Sequence, residues 1–368
     1  ALLDIVDYAI SQKSLDDFSR DGRTPRVFLA DKISEADIRR SFPANITESS
    51  QPGTLLEFGL RYVDNFLEIE ILKNEDQHFS QIEKEIQLPP DEISQFKIIE
   101  KLVAGFKNQL KGKLFRKLSA ERDILPEEMS SPALLDKGVG ATNLINRFLN
   151  DDDKDSKFVE KDLLESLKEI FRPDIKFERI ITQYNDNTSK WEIFLDEKKK
   201  GRIALSSSGS GLKTVLLVLA NIILRPQLER RNLEQSIFAF EELENNMHPS
   251  LQRNLLEYIR KRAVEDGAKF FLTTHSNVAI DFFSKDEEAQ IVHVVNNGEV
   301  AEVKQVRTHM DKKGVIGDLD FRASDILQSN GIIWVEGPSD RTYMNKWIEL
   351  WSNGKLNEGT HYQCMFYG

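Results

Sequence analysis

An α/β fold is predicted by three short stretches that lie between Leu205 and His275. Ser236 to Glu242 reads SIFAFEE, a β-rich apolar run short enough for a buried strand, and it ends abruptly in two carboxylates. Lys269 to His275 reads KFFLTTH, a second such strand that ends in an imidazole. Ahead of both, Leu205-Ser206-Ser207-Ser208-Gly209-Ser210-Gly211 opens an apolar helix that continues through Leu212-Lys213-Thr214-Val215-Leu216-Leu217. Two parallel strands joined by a helix bring their carboxyl-terminal side chains to the crevice where open α/β sheets bind ligands.

Each stretch meets one chemical need of nucleoside triphosphate hydrolysis. Glu241 and Glu242 stand where a strand meets a loop, so one carboxylate suits Mg²⁺ while its neighbour orients or deprotonates the attacking water. His275, one strand over, is placed to touch a γ-phosphate. The hydroxyl and amide groups of Ser206, Ser207, Ser208, Gly209, Ser210 and Gly211 lie at a helix N-terminus, where backbone N–H groups bind anions. Taken singly, each stretch has a plainer reading: a cap and turn, a solvated acidic loop, a structural histidine. It is their order and spacing that join them.

The run Phe240-Glu241-Glu242-Leu243-Glu244-Asn245-Asn246-Met247-His248-Pro249, set between the Ser/Gly helix start and Thr273-Thr274-His275-Ser276, resembles the ABC-type ATPases of the branch shared by the RecF, SMC and OLD (overcoming lysogenization defect) proteins. The resemblance implies ATP as cofactor. Residues 205–213 become the signature motif, Glu241 the Walker B acid, Glu242 the catalytic glutamate, Glu244 to Pro249 the D-loop and His275 the switch histidine. This chain departs from the family in having Glu241 where Asp is usual and Leu243 where Pro is usual. No G-x-x-x-x-G-K-[ST] occurs in it. The glycine cluster Gly138-Val139-Gly140-Ala141-Thr142-Asn143 lacks the lysine and reads as a turn. The helical spacing from Ala1 to Ile10 resembles the helix that follows the P-loop in OLD-like ATPases, so the first strand and the P-loop are expected immediately upstream.

At 368 residues the chain is long enough for two or more domains, and 40% hydrophobic with 30% charged residues is ordinary soluble composition. A net charge of -11 excludes a surface that is basic all over, so nucleic acid would have to be met by local patches. No transmembrane run or signal peptide is visible, and one cysteine, Cys364, allows no internal disulfide, which suits the cytoplasm. Leu29 to Pro43 reads as a polar helix with Ser34 capping Glu35. Leu55 to Leu72 reads as a hairpin turning at Asp64-Asn65. Between Pro90 and Asn187 the pattern is mostly helical. Lys107, Lys111, Lys113, Arg116, Lys117 and Arg122 lie there on or beside a helix, either a solvated face or a contact to a DNA or RNA backbone. Asp151-Asp152-Asp153 is a polar loop, and Phe158 to Phe171 is an amphipathic helix suited to another protomer. Strands are expected around Asn185-Asp186-Asn187, Lys198-Lys199-Lys200 forms an exposed loop, and Gln290 to Val306 forms a hairpin turning at Asn296-Asn297-Gly298.

The second informative stretch is Gly331-Ile332-Ile333-Trp334-Val335-Glu336-Gly337-Pro338-Ser339-Asp340, an apolar strand ending in Glu-Gly with an Asp at the start of a helix. It resembles the opening of a Toprim domain, the topoisomerase–primase metal fold; the plainer reading is a strand–turn–helix with a capping Asp. The resemblance makes Glu336 the catalytic acid, Gly337 the residue that permits close approach, and Asp340 a metal-holding group. An ABC-type head followed by Toprim is the architecture of OLD-family nucleases, including those of antiphage systems such as Gabija and some retrons. The expected organisation is an N-terminal part of an ABC-type P-loop ATPase head (1–89), a mostly helical insertion with a candidate dimer contact (90–187), the head from signature to switch (188–325) and the start of an α/β Toprim domain (326–368). The resemblance implies an ATP-dependent DNA endonuclease in antiphage defence. It also implies Mg²⁺, with Mn²⁺ or Ca²⁺ possible at the Toprim site, and a homodimer or higher homo-oligomer on DNA, with RNA or reverse-transcribed DNA possible in a defence complex, and no membrane. The alternative is an ATP-gated DNA clamp or sensor of RecF/SMC type that binds without cutting.

Overall fold

The computed structural model describes residues 2–11, 27–41, 54–64, 66–71, 77–82, 113–129, 133–173, 175–284, 286–296, 301–306, 332–358 and 361–366. The chain forms two compact units, 1–115 and 116–368.

In the first unit, helix α1 (Leu2–Ser11) precedes a three-stranded antiparallel sheet of β1 (Val27–Lys32), β2 (Phe66–Ile71) and β3 (Gln77–Ile82), with β2 central. Helices α2 (Glu35–Ser41) and α3 (Leu55–Gly59) lie between β1 and β2 in the chain. Two expectations are corrected here. The polar helix begins at Glu35, because residues 29–32 belong to β1. The hairpin over 55–72 is instead a helical stretch, α3 running into a 3₁₀ turn at Leu60–Tyr62, followed by one strand. Both helix starts are reciprocal capping boxes: the Asp37 N–H donates to Ser34 Oγ while the Ser34 N–H donates to Asp37, and Glu57 and Thr54 repeat the exchange at 3.2 and 3.1 Å. Asp64 turns the chain with φ 72°.

The second unit contains β4 (Leu114–Leu118), whose first two residues fall before the boundary, and helices α4 (Ala141–Asn150) and α5 (Leu164–Ile170), the latter preceded by a π-helical turn at Phe158–Leu163. The antiparallel sheet β5 (Phe177–Asn185), β6 (Lys190–Glu197) and β7 (Gly201–Ala204) follows, turning around residues 186–189 as expected. Helix α6 (Ser210–Leu219) continues through a π-helical turn (Ala220–Leu224) into α7 (Arg225–Glu229). The widened turn has a cause. Pro226 has no N–H and crowds the carbonyl four residues back, so the ladder slips one residue just before it. The run Ser210–Glu229 is apolar and long enough to cross a membrane by composition, yet most of it is buried inside the protein, as a core helix is.

Strand β8 (Ser236–Glu241) is the most enclosed: Ile237, Phe238, Ala239 and Phe240 are fully buried. It lies between β4 and the parallel β9 (Lys269–Thr273), joined to β9 by α8 (Pro249–Asp266), which stops at Gly267 in the left-handed region at φ 67°. Phe238 stacks on Phe270 with centroids 5.0 Å apart. Helices α4 and α5 share one core with α6, so the described part of 90–187 packs as part of the head. Val159, Leu163, Leu167 and Ile170 are completely buried there, which corrects the expectation that 158–171 presents an apolar face to another protomer.

After α9 (Asn277–Phe283), β10 (Val292–Asn296) and β11 (Ala301–Gln305) pair antiparallel, the expected hairpin; its turn lies outside the described residues. The last elements are β12 (Ile332–Val335), α10 (Pro338–Ser352) and β13 (Gln363–Phe366), a strand–helix–strand unit with its two strands parallel and a small core of Val335, Tyr362 and Cys364.

Candidate nucleotide site and second acidic strand end

The β8 strand end is held by three residues in and just after β4. Lys117 Nζ lies 3.2 Å from Glu241 Oε1, and the Ala120 N–H donates to Glu241 Oε2 at 3.3 Å. Arg122 donates from Nη1 to the carbonyls of Ser119 (2.7 Å) and Glu241 (2.6 Å), from Nη2 to the carbonyl of Glu242 (2.8 Å), and from Nε to Thr214 Oγ1 (3.0 Å). Burial pulls the Arg122 guanidinium below its ordinary value, and the carboxylates of Glu244, Glu242 and Glu241 oppose that pull. The expected basic cluster is thereby corrected. Lys107 and Lys111 lie outside the described residues, Arg116 pairs with Glu229, and Lys117 and Arg122 face the acidic strand end. An extended β4, where a helix was expected, sends alternate side chains into the core, so these cations meet carboxylates and carbonyls of their own fold.

Glu242 sits at φ 44°, in the left-handed region that side chains with a Cβ avoid. Its N–H donates to the Thr273 carbonyl at 2.9 Å, which ties it to the end of β9. Asn245 Nδ2 donates to Glu242 Oε2 at 3.0 Å, and His275 Nε2 lies 3.7 Å from Glu242 Oε1, so the expected catalytic glutamate and switch histidine do come together. Glu244 fixes the loop that carries the histidine, accepting from Thr274 Oγ1 (2.8 Å) and the His275 N–H (2.7 Å). The imidazole itself is 77% exposed, which leaves it open to a ligand.

At the signature stretch, Gly209 precedes the first residue of α6 with extended backbone, and a Cβ there would meet nothing within 4 Å. Ser207, Gly209 and Ser210 are exposed, whereas Ser206 donates to Glu192, Ser208 donates to the Ala204 carbonyl at 3.0 Å, and Gly211 is buried against Leu251 and Met247. The six residues therefore divide: 207, 209 and 210 face outward, and 206, 208 and 211 hold the turn. An open helix start with small exposed residues fits a phosphate group. Among the described residues no cluster of three or more His, Cys, Asp or Glu side chains stands together. Mg²⁺ bound with a nucleotide takes one or two carboxylates beside phosphate oxygens and water. Glu241 would supply such a carboxylate on exchanging its lysine partner.

Gly138 and Gly140 form a turn with φ 94° and 89°, as expected. The carboxylate of Glu127 closes the start of α4, accepting the N–H of Gly140 at 2.5 Å and of Asn143 at 3.0 Å. At the second acidic strand end, Glu336 and Asp340 are exposed, one just past β12 and one in the first turn of α10. Sequence reasoning named Glu241 and Glu242 but missed Lys117 and Arg122 as their supports. No local motif marks them, because each acts across more than 80 residues of chain.

A family model described as "AAA domain, putative AbiEii toxin, Type IV TA system" matches residues 17–281. Endonuclease GajA of Bacillus cereus (strain HuB5-5) is 23% identical over 223 residues, a match covering 53% of this chain and 31% of that protein, so the chain spans about a third of that relative's length. Among solved structures, the Smc head domain with an extended coiled coil from Pyrococcus furiosus, bound to the C-terminal domain of ScpA, aligns with TM-score 0.39 at 10% identity, covering 87% of this chain and 90% of that one. A chain from work on ATP-driven dimerization and DNA-stimulated activation of SMC ATPases aligns with TM-score 0.35 at 15% identity, covering 48% and 98%. With most of its length inside the family model and the two parallel strand ends assembled as described, the chain belongs to the AAA_21 family and carries an α/β AAA ATPase domain.

Proposed function

We propose that this chain is the ATPase head and the opening of the nuclease part of an ATP-dependent DNA endonuclease of the OLD kind, acting in antiphage defence. The observation that carries the nuclease reading is the parallel β12–α10–β13 unit, which sets Glu336 at a strand end and Asp340 one helical turn on, downstream of an ATPase domain. The similarity to a protein named as an endonuclease supports it.

Bound Mg²⁺ and ATP supply the electrophilic phosphorus and the charge that polarises it. Glu242 accepts the proton of the attacking water, with Asn245 donating to one of its carboxylate oxygens. His275 donates toward the phosphate from its exposed ring. Ser207, Gly209 and Ser210 bind phosphate oxygens of a nucleotide held by a second protomer, which makes the working unit at least a homodimer. Glu336 and Asp340 would hold a divalent metal, Mg²⁺ or also Mn²⁺ or Ca²⁺, which would supply the charge stabilisation for phosphodiester cleavage.

In the full-length protein, Glu336→Ala should abolish Mg²⁺- or Mn²⁺-dependent DNA cleavage and leave ATP turnover nearly intact. Cleavage at the wild-type rate in the same metal would overturn the nuclease assignment and leave the ATP-gated DNA clamp in its place. Light scattering with and without ATP tests the assembly, and a monomer in both states would end the cross-protomer reading.

A further inference from the structure

We infer that Arg122 is a positioning residue that couples the signature helix to the catalytic glutamate; the inference rests on the ATPase reading above. Three observations meet in the short segment Ser119–Asp123. First, Glu242 is held at φ 44°, a backbone state kept only where the surroundings over-determine it. Second, the planar Arg122 fork grips the two successive carbonyls of Glu241 and Glu242, at 2.6 and 2.8 Å, so it sets the peptide planes from which both acidic side chains depart. Third, the same guanidinium reaches the hydroxyl of Thr214 on α6, a residue only 3% exposed, and the next residue, Asp123, holds Lys213 Nζ at 2.7 Å.

Residues 213 and 214 lie one turn into the helix whose first residues are the exposed phosphate-facing group. A shift of α6 on engaging a nucleotide therefore pulls on Arg122 and Asp123, and through Arg122 on the carbonyls of 241 and 242. Backbone packing keeps the link short. A Cβ on Gly138 would come within 2.2 Å of the Asp123 carbonyl, so that turn presses directly on the segment. Lysine cannot substitute for arginine here, because one ammonium lacks the fork that spans two carbonyls and a hydroxyl at once.

The test uses the full-length protein with four variants: Arg122→Lys, Thr214→Val, their combination, and Glu242→Gln. Turnover of ATP, affinity for a fluorescent ADP analogue and Tm are measured on each. Arg122→Lys should lower kcat by about 10- to 100-fold, the range expected for ~1 Å of misplacement, with nucleotide affinity changed less than ~3-fold. Thr214→Val should lower kcat by roughly 3- to 10-fold, and the double variant should be no slower than Arg122→Lys, because both changes cut one link. Wild-type kcat in a folded Arg122→Lys protein, or effects that multiply in the double variant, would overturn the coupling. Should Arg122→Lys fail to fold, Thr214→Val decides alone, and unchanged kcat there overturns it. Glu242→Gln separates the two levels: if it turns over ATP as wild type does, the assignment of Glu242 fails, whatever Arg122 does.

Discussion

The chain has two acidic strand ends, Phe240-Glu241-Glu242 on β8 and Val335-Glu336-Gly337 on β12, and they are built to different degrees of enclosure. The first is enclosed: β8 is buried from Ser236 to Phe240, Lys117, Ala120 and Arg122 bind its end, and Thr273 and Asn245 bind the glutamate beyond it, with His275 3.7 Å away. The second stands open, with Glu336 and Asp340 exposed, and Trp334, Tyr343, Trp347 and Trp351 of the same strand and helix each more than half exposed. An acid that must orient water needs preorganised supports, because displacement of about 1 Å costs about 100-fold in rate. An acid that holds metal beside a large polyanion needs access. The difference between the two ends therefore matches the two kinds of chemistry proposed for them.

The largest effect that can break this contrast is Glu242→Gln, which should reduce ATP turnover by about 100- to 10,000-fold while nucleotide binding persists, measured by single-turnover hydrolysis and equilibrium binding. Loss of binding together with turnover would show that Glu242 shapes the pocket and is no base. Next, Phe238→Ala should cost about 3–5 kcal/mol in chemical denaturation, because it leaves a void against Phe240 and Phe270 in the most buried strand. A cost below about 1 kcal/mol would mean that the enclosure of β8 is not what makes its end rigid.

On the other side of the contrast, Glu358 ties α10 to β13. Its two carboxylate oxygens both accept from Arg341 Nε at 3.0 Å, Oε2 accepts from Asn345 Nδ2, and Oε1 accepts from the Cys364 N–H at 3.0 Å. Burial alone would raise this carboxyl, but the hydrogen bonds from Asn345, Arg341 and Cys364 outweigh it and hold the group below its ordinary 4.5. A depressed folded-state value makes its contribution complete above about pH 4.5 and lost as pH falls further. Glu358→Gln should therefore destabilise this unit by about 1.5–3 kcal/mol at pH 7 and by progressively less toward pH 3, read by amide exchange of residues 338–352. A penalty independent of pH would reassign the role to shape. The smallest effect expected is Trp347→Ser: the residue is 62% exposed and its ring stacks on Tyr343 at 6.0 Å, so stability should change by less than about 1 kcal/mol. A larger loss would mean that this face is covered in solution and the second strand end is less open than described.

Much of the architecture followed from local chemistry. The buried SIFAFEE strand, the strands around Asn185-Asp186-Asn187, the hairpin over 290–306 and the Ser/Gly helix start were all legible, because turn residues and apolar period are properties of a few neighbouring positions. The helix at Leu55 was equally local. Its capping box, Thr54-Leu55-Leu56-Glu57, was in plain view, but the alternation of Leu56, Phe58, Leu60 and Tyr62 suggested a strand, and the caps decided otherwise. The acids themselves, Glu241, Glu242 and Glu336, were named by where their strands stop.

What only the tertiary structure decided is the company those acids keep. In sequence, Arg116, Lys117 and Arg122 look like one basic patch, a solvated helix face first and a nucleic-acid contact second. In the fold, β4 lies beside β8, and the three cations meet Glu229, Glu241 and the carbonyls of 241 and 242. A charge carries no record of its partner when that partner lies 113 to 124 residues away in the chain. Strand pairing alone brings them within hydrogen-bond reach, and once water is excluded, the cost of leaving a buried cation unpaired selects the contacts that are seen.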